Sequence, residues 1–212
     1  MSDNPQDVGR SYDTIAKPYA DRFAGELAHK PLDRALLDVF ASEAGDGAIV
    51  GDVGCGPGQI AAYLHARGLR PVGVDLSAEM IAIARQRHPG LSFITGSMLD
   101  LPADDASWHG AIAFYSIIHL APHERPRAFA QLRRVLRTHA PLLVSFHVGD
   151  EVRHVDELYE QHVSLDSHFL RTQDVRTLLT GAGFEVEMAL DRKPYTPVEA
   201  PTTRGYLLAR AL

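Results

Sequence analysis

With 212 residues, 45% hydrophobic and 23% charged, the chain has the composition of one globular domain with a full core. Its net charge of −6 speaks against a nucleic-acid-binding surface, and no apolar run approaches the roughly 20 residues that a membrane span needs. A single cysteine, Cys55, excludes an internal disulfide and a cysteine-based metal site; with no signal-peptide pattern at the N-terminus, a cytoplasmic protein is expected.

Residues 1–10 are polar and are expected to be disordered. Residues 11–23 then bring Tyr12, Asp13, Ala16, Tyr19 and Phe23 at helical spacing, with aromatics that can pack on the core or cover a ligand. A helix is predicted over 31–44, with Leu32, Leu36, Val39 and Phe40 on one face. Residues 48–53 form a short apolar strand that contains Asp52, an acid that needs a hydrogen-bonding partner if buried. Gly54, Gly56 and Gly58 follow, and helix-like sequence runs over 59–67 to Gly68. A strand, a glycine-rich turn and a helix N-terminus make a cradle for a nucleotide-like ligand. A dinucleotide fingerprint needs glycine at position 59, where this chain has Gln59, and Pro57 has no N–H for a phosphate.

A second apolar strand ends in Asp75, 23 positions after Asp52, where a β-α-β unit brings a carboxylate to the ligand's ribose. Ser77 is predicted to cap a helix carrying Met80, Ile83, Ala84 and Arg87 on one stripe. Strands are read over 91–95, 108–115 and 141–146. The helix over 122–137 buries Ala128, Phe129, Leu132, Val135 and Leu136, leaving Arg125, Arg127, Arg133, Arg134 and Arg137 as a solvated face.

Residues 147–170 are the least regular stretch, and the spacing of His147, His154, His162 and His168 fits no metal-ligand motif. Thr172 is predicted to cap a helix with Val175, Leu178, Leu179 and Ala182 on its buried side. An alternating outer strand over 184–190, a long loop over 191–204 and a closing strand over 206–209 complete the chain. Arg171 and Arg192 are read as surface side chains, the alternative being that they hold an acidic group of a ligand. His119 and His147 stand apart because each directly follows a predicted strand, where it can contact a substrate or make a structural hydrogen bond.

The turn at 54–58 resembles motif I of the class I S-adenosylmethionine-dependent methyltransferases, and 11–23 resembles the N-terminal cap of their small-molecule members. Residues 96–102 resemble the adenine-binding segment, and 108–146 resembles the branch that includes the ubiquinone and menaquinone C-methyltransferases. The Asn-Pro-Pro-Tyr motif of the nucleic-acid and protein amino-methylating enzymes is absent. The resemblance implies a doubly wound α/β domain over 1–212, with a seven-stranded, mostly parallel sheet, helices on both faces and an antiparallel last strand. Within it, 1–30 is the cap, 48–145 the cofactor-binding core and 147–171 a substrate-covering insertion.

It further implies methyl transfer from S-adenosylmethionine to an N, O or C atom of a small-molecule acceptor. Asp52, Gly54, Gly56, Gly58, Asp75, Leu76, Ser97, Met98 and Tyr115 fall at its cofactor positions, and Tyr12, Tyr19 and His154 face the substrate. His119 and His147 carry the acceptor chemistry, His147 being the better base because Asp150, Glu151 and His154 lie near it in sequence. No metal, nucleic acid or membrane is implied. A nucleotide-dependent oxidoreductase and a non-catalytic cofactor-binding module are the alternatives; turnover separates the second from an enzyme.

Overall fold

A computed structural model describes residues 5–212. The apolar runs form β1 (Ile49–Val53), β2 (Arg70–Asp75), β3 (Ser92–Thr95), β4 (Gly110–Phe114) and β5 (Pro141–His147). β6 (Val152–Leu158) and β7 (Gln161–His168) pair with each other, while β8 (Phe184–Arg192) and β9 (Arg204–Ala211) join the main sheet. That sheet has seven strands in the order β3-β2-β1-β4-β5-β9-β8, parallel except for β9, which runs antiparallel to both neighbours. The fold class expected from the sequence is the one observed.

Successive side chains in a strand point to opposite faces, so both faces are buried under helices here. Ala111, Ala113, Leu142, Val144, Phe146 and Leu207 pack with Phe129 and Leu132 of α5 (Arg125–Val135) and with Val175 and Leu179 of α6 (Thr172–Gly181). Their alternates Ile112, Leu143, Tyr206 and Leu208 pack with Leu36, Leu37 and Phe40 of α2 (Pro31–Ala44) and with Ile60 and Leu64 of α3 (Gln59–His65). Each such fully buried large side chain contributes about 1.5–3 kcal/mol. The buried stripe of α2 is Asp33, Leu36, Leu37, Phe40 and Ala41, whereas Val39, expected inside, is 46% exposed.

Disorder over 1–10 is corrected from Pro5 onward, where α1 (Pro5–Phe23) begins; residues 1–4 lie outside the described part. α1 docks on α4 (Ala78–Arg87) through Asp13, whose Oδ1 accepts from Ser77 Oγ at 2.6 Å and from the Glu79 N–H at 3.0 Å. Ser77 in turn caps α4 as predicted, accepting from the Met80 N–H at 3.0 Å, a contact of about 1 kcal/mol. Thr172 does not cap α6: the N-cap is Arg171, and the Thr172 hydroxyl donates to Asp191.

The arginines of α5 are not a free face. Arg127 donates to the Leu99 carbonyl at 2.8 Å, and Arg134 donates to the Leu101 and Ala103 carbonyls, so the helix holds the loop after β3 in place.

The stretch expected to be irregular is a regular hairpin. β6 and β7 are joined by Tyr159 and Glu160, whose φ values of 54° and 61° are those of a two-residue type I′ turn.

Candidate active site

The carboxyl ends of β1, β2 and β4 open into one cleft of about 850 Å³, part of it open to solvent. In an open parallel sheet this is the place where a ligand sits. Gly54, Gly56, Asp75 and Leu76 form one wall, Ser97, Met98 and Leu99 a second, and Phe114, Tyr115 and Ser116 a third. Val8, Tyr12 and Tyr19 of α1 cover it, and His119, Leu120 and Glu124 close the remaining side.

Gly56 has φ 51°, and a β-carbon there would point toward the Tyr19 ring 3.9 Å away, so only glycine leaves the ligand face of the turn clear. Asp75 holds the turn. Its Oδ2 accepts from the Gly56 N–H at 2.8 Å and its Oδ1 from the Ser77 N–H at 2.9 Å. Burial raises its pKa against these two bonds. Each carboxylate oxygen has two acceptor sites, so capacity remains for ribose hydroxyls.

No lysine or arginine lines this cleft among the described residues. A pyrophosphate has no cation to meet there, whereas a ligand with a positive sulfur and no phosphate suits a wall of carboxylates and aromatic faces. The residues present therefore fit S-adenosylmethionine.

His119 closes a short 3₁₀ turn, Ile117–His119, after β4. Its Nδ1 lies 2.8 Å from the Asp166 carbonyl of β7 and its Nε2 lies 2.7 Å from the Tyr12 hydroxyl. A carbonyl can only accept, so Nδ1 carries the proton and Nε2 of the neutral ring accepts from Tyr12. Burial lowers the pKa of His119, which keeps the ring neutral near pH 7, and burial raises that of Tyr12, which keeps the phenol protonated.

Residues 50–139 match the family described as a methyltransferase domain. An O-methyltransferase of Penicillium expansum is 27% identical over 204 residues, covering 86% of this chain and 73% of that protein. A malonyl-[acyl-carrier protein] O-methyltransferase of Serratia marcescens is 28% identical over 202 residues, covering 92% and 74%. The magnesium protoporphyrin IX methyltransferase of Synechocystis, solved with bound S-adenosylmethionine, shares the fold with a TM-score of 0.75 at 17% identity, covering 100% of this chain and 98% of that one. The chain is an S-adenosylmethionine-dependent methyltransferase.

Most of the residues that the sequence marked in this methyltransferase line its cleft: Gly54, Gly56, Asp75, Leu76, Ser97, Met98, Tyr115, Tyr12, Tyr19 and His119. Gly58 does not. It is the left-handed N-cap of α3, and a β-carbon there would lie 2.7 Å from the Phe93 ring, so its requirement is packing. Asp52 also lies behind the wall, fully buried. The partner expected for it is missing: neither carboxyl oxygen has a donor in good geometry, the Ala61 N–H being the one group that favours its charged form. Burial first, then the charge of Asp75, pushes its pKa up to about 7.

His147 is not a lining residue of the cleft. Its Nδ1 meets the Thr202 hydroxyl at 2.9 Å, and its ring lies between Tyr115 and Phe169. Burial first, then Arg204, brings its pKa down to about 4. The groups expected to orient it are engaged elsewhere: Asp150 with Arg171, Glu151 with Arg153, and His154 with Asp166 and Asp156. His154 itself stands on β6 away from the cleft, its side chain 38% exposed.

Arg192, read as a surface residue, is half-buried and ion-paired with Asp33 at 2.7 Å and Glu199 at 2.6 Å. This cluster fixes the third wall. The Tyr206 hydroxyl donates to Asp33 at 2.9 Å and lies 2.8 Å from the Tyr115 hydroxyl, so Tyr115, at φ 55°, is held from behind.

Glu124, Phe114, Ser116, Leu99 and Val8 are lining residues that the sequence reading missed. Glu124 precedes α5 and accepts the Ala121 N–H at 2.9 Å. The sequence reading put it inside the first turn of the helix over 122–137, whereas it is the N-cap of α5; that this helix start borders the cleft was not legible.

Proposed function

We propose that the cleft methylates an oxygen of a small-molecule acceptor, with Gly54, Gly56, Asp75, Ser97 and Met98 binding the cofactor and His119 accepting the acceptor's proton. Bound S-adenosylmethionine supplies a methyl group already activated on a positive sulfur. The chain's part is to place the acceptor in line, exclude water and take up a proton.

The observation that carries this reading is the state of His119. Its Nδ1–H is committed to the Asp166 carbonyl, and its basic Nε2 faces the cleft through the Tyr12 hydroxyl. Tyr12 relays the proton: its oxygen receives the acceptor's hydrogen as its own passes to Nε2. α1 and the β6–β7 hairpin act together as the cover, joined by Ser11 and the Ser164 backbone at 3.1 Å. The names of the O-methyltransferase relatives support oxygen as the acceptor atom.

Titration with S-adenosylhomocysteine and with NAD tests the cofactor assignment, and His119→Gln tests the proton acceptor. Binding of the first ligand, none of the second, and a variant that binds cofactor normally but turns over slowly are the expected results. NAD binding alone, or full activity of His119→Gln, would overturn the corresponding assignment.

A further inference from the structure

We propose that the acceptor is an uncharged, planar molecule offering a hydroxyl of the phenol or enol type, and that the acceptor side of the cleft disfavours carboxylates. This rests on the methyltransferase reading above. The charges around the cleft decide it. Among the described residues, the carboxyl side chains on its walls are Asp75 and Glu124, and no lysine or arginine lines it. The first six residues, whose side chains lie outside the description, contain neither lysine nor arginine.

Nearby cations are already used. Lys30, 5.9 Å from the centre of the Tyr115 ring, pairs with Glu26 and Glu199, and Arg192 pairs with Asp33 and Glu199. Arg204 also faces Glu199, at 3.5 Å. An acceptor carboxylate would lose its hydration, meet no lysine or arginine on the walls and lie beside the Asp75 and Glu124 carboxyl groups; its one counter-charge would be the sulfonium of the methyl donor, which S-adenosylhomocysteine lacks. The overall charge of −6 opposes its approach as well.

An ammonium group would be welcomed by the same carboxylates, but it has no lone pair with which to attack carbon. A hydroxyl meets both conditions: it is neutral on entry, and it has a proton to lose. As the reaction proceeds, that proton passes through Tyr12 to His119 Nε2, the oxygen bonds to the methyl carbon, and the carbon–sulfur electron pair stays on sulfur. Planarity follows from the walls, because Tyr12, Tyr19, Phe114 and Tyr115 present aromatic rings to the cleft.

The test uses a panel of bicyclic phenols, each matched to the carboxylate of the same ring system, as 2-naphthol is to 2-naphthoate. Each is titrated at pH 7 into the full chain saturated with S-adenosylhomocysteine, and methyl transfer from S-adenosylmethionine is assayed in parallel. Phenols should bind at least tenfold more tightly than their carboxylate partners and be the members that are methylated. Glu124→Gln, which keeps an acceptor for the Ala121 N–H, should narrow the gap severalfold by strengthening carboxylate binding. Carboxylates binding as tightly as phenols, or no phenol binding while S-adenosylhomocysteine does, would overturn the proposal. Failure to bind S-adenosylhomocysteine would count instead against the methyltransferase reading.

Discussion

The Tyr12 hydroxyl lies 2.7 Å from His119 Nε2, although the two residues are 107 positions apart. One hydrogen bond thus ties the helix that covers the cleft to the turn that follows β4. The cover and the proposed proton acceptor are one unit, while the glycine turn is held separately by Asp75.

His119→Gln should lower kcat by about 10²–10⁴ while S-adenosylhomocysteine affinity stays within about twofold, as expected for loss of a general base. Tyr12→Phe should cause a smaller loss, and the double variant should be little worse than His119→Gln, because the two act in series. Because burial lowers the His119 pKa, the acidic limb of the kcat/KM profile should lie below pH 6.5. Steady-state kinetics across pH, beside calorimetry, check all three points; additive losses would place Tyr12 and His119 in separate roles.

Asp75→Ala should weaken S-adenosylhomocysteine binding by about 1.5–3 kcal/mol, as for loss of a charged hydrogen-bond acceptor. It should also loosen the turn, because the Gly56 and Ser77 N–H groups lose their partner. Hydrogen exchange at these two amides, measured without ligand, should speed up in the variant. Unchanged affinity would remove Asp75 from the ligand.

Asp52 carries a pH dependence of opposite sign to that of most carboxylates. The unfolded acid ionises near its ordinary value of 3.8, the folded one near 7. The native state therefore holds the proton more tightly, and stability is lost as pH rises between those values. Asp52→Asn removes that loss, so its stability relative to the parent should improve by about 2–4 kcal/mol from pH 4 to pH 8. Urea denaturation of the ligand-free protein at both pH values measures the difference; a pH-independent difference would show that Asp52 is charged throughout.

His147 works the other way. Its folded pKa of about 4 lies below the ordinary 6.5, so the unfolded chain binds the extra proton first as the solution is acidified. Its contribution is present above pH 6.5 and is lost as pH falls toward 4. His147→Gln should flatten the thermal stability profile in that window and leave the acidic limb of the kcat/KM profile in place. A lost kinetic limb would return His147 to the chemistry.

The main sheet was legible because Ala48–Val53, Val72–Leu76 and Leu142–Phe146 are short, mostly apolar runs, and buried parallel strands read that way. The glycine turn and Asp75 were legible for the same local reasons. The β6–β7 hairpin was not. The β6 side chains from Val152 to Glu157 are all exposed, so no alternation marks a face, and Tyr159–Glu160 lacks the Asn-Gly chemistry that announces a type I′ turn.

His147 misled because sequence adjacency stood in for contact. Strand β5 ends there, but antiparallel β9 brings Arg204 opposite it and Thr202 to its ring, and those neighbours arrive from 55 or more positions away. Val39 and Arg192 show the same limit. A helix stripe read one residue off, and an arginine whose acids lie on other elements, are decided by tertiary packing.

The hairpin register also has a chemical meaning. Adjacent residues of a strand turn their carbonyls to opposite edges, so the Asp166 carbonyl faces His119 only in the pairing observed, His154 against Asp166, beyond the irregularity between Val155 and Glu157. Deleting one residue between that irregularity and Asp166 would turn the carbonyl away and free Nδ1 of its acceptor. The imidazole would then be able to switch tautomers, and which nitrogen is basic would no longer be set. A backbone alignment in an outlying ribbon thus acts as the address label for a proton.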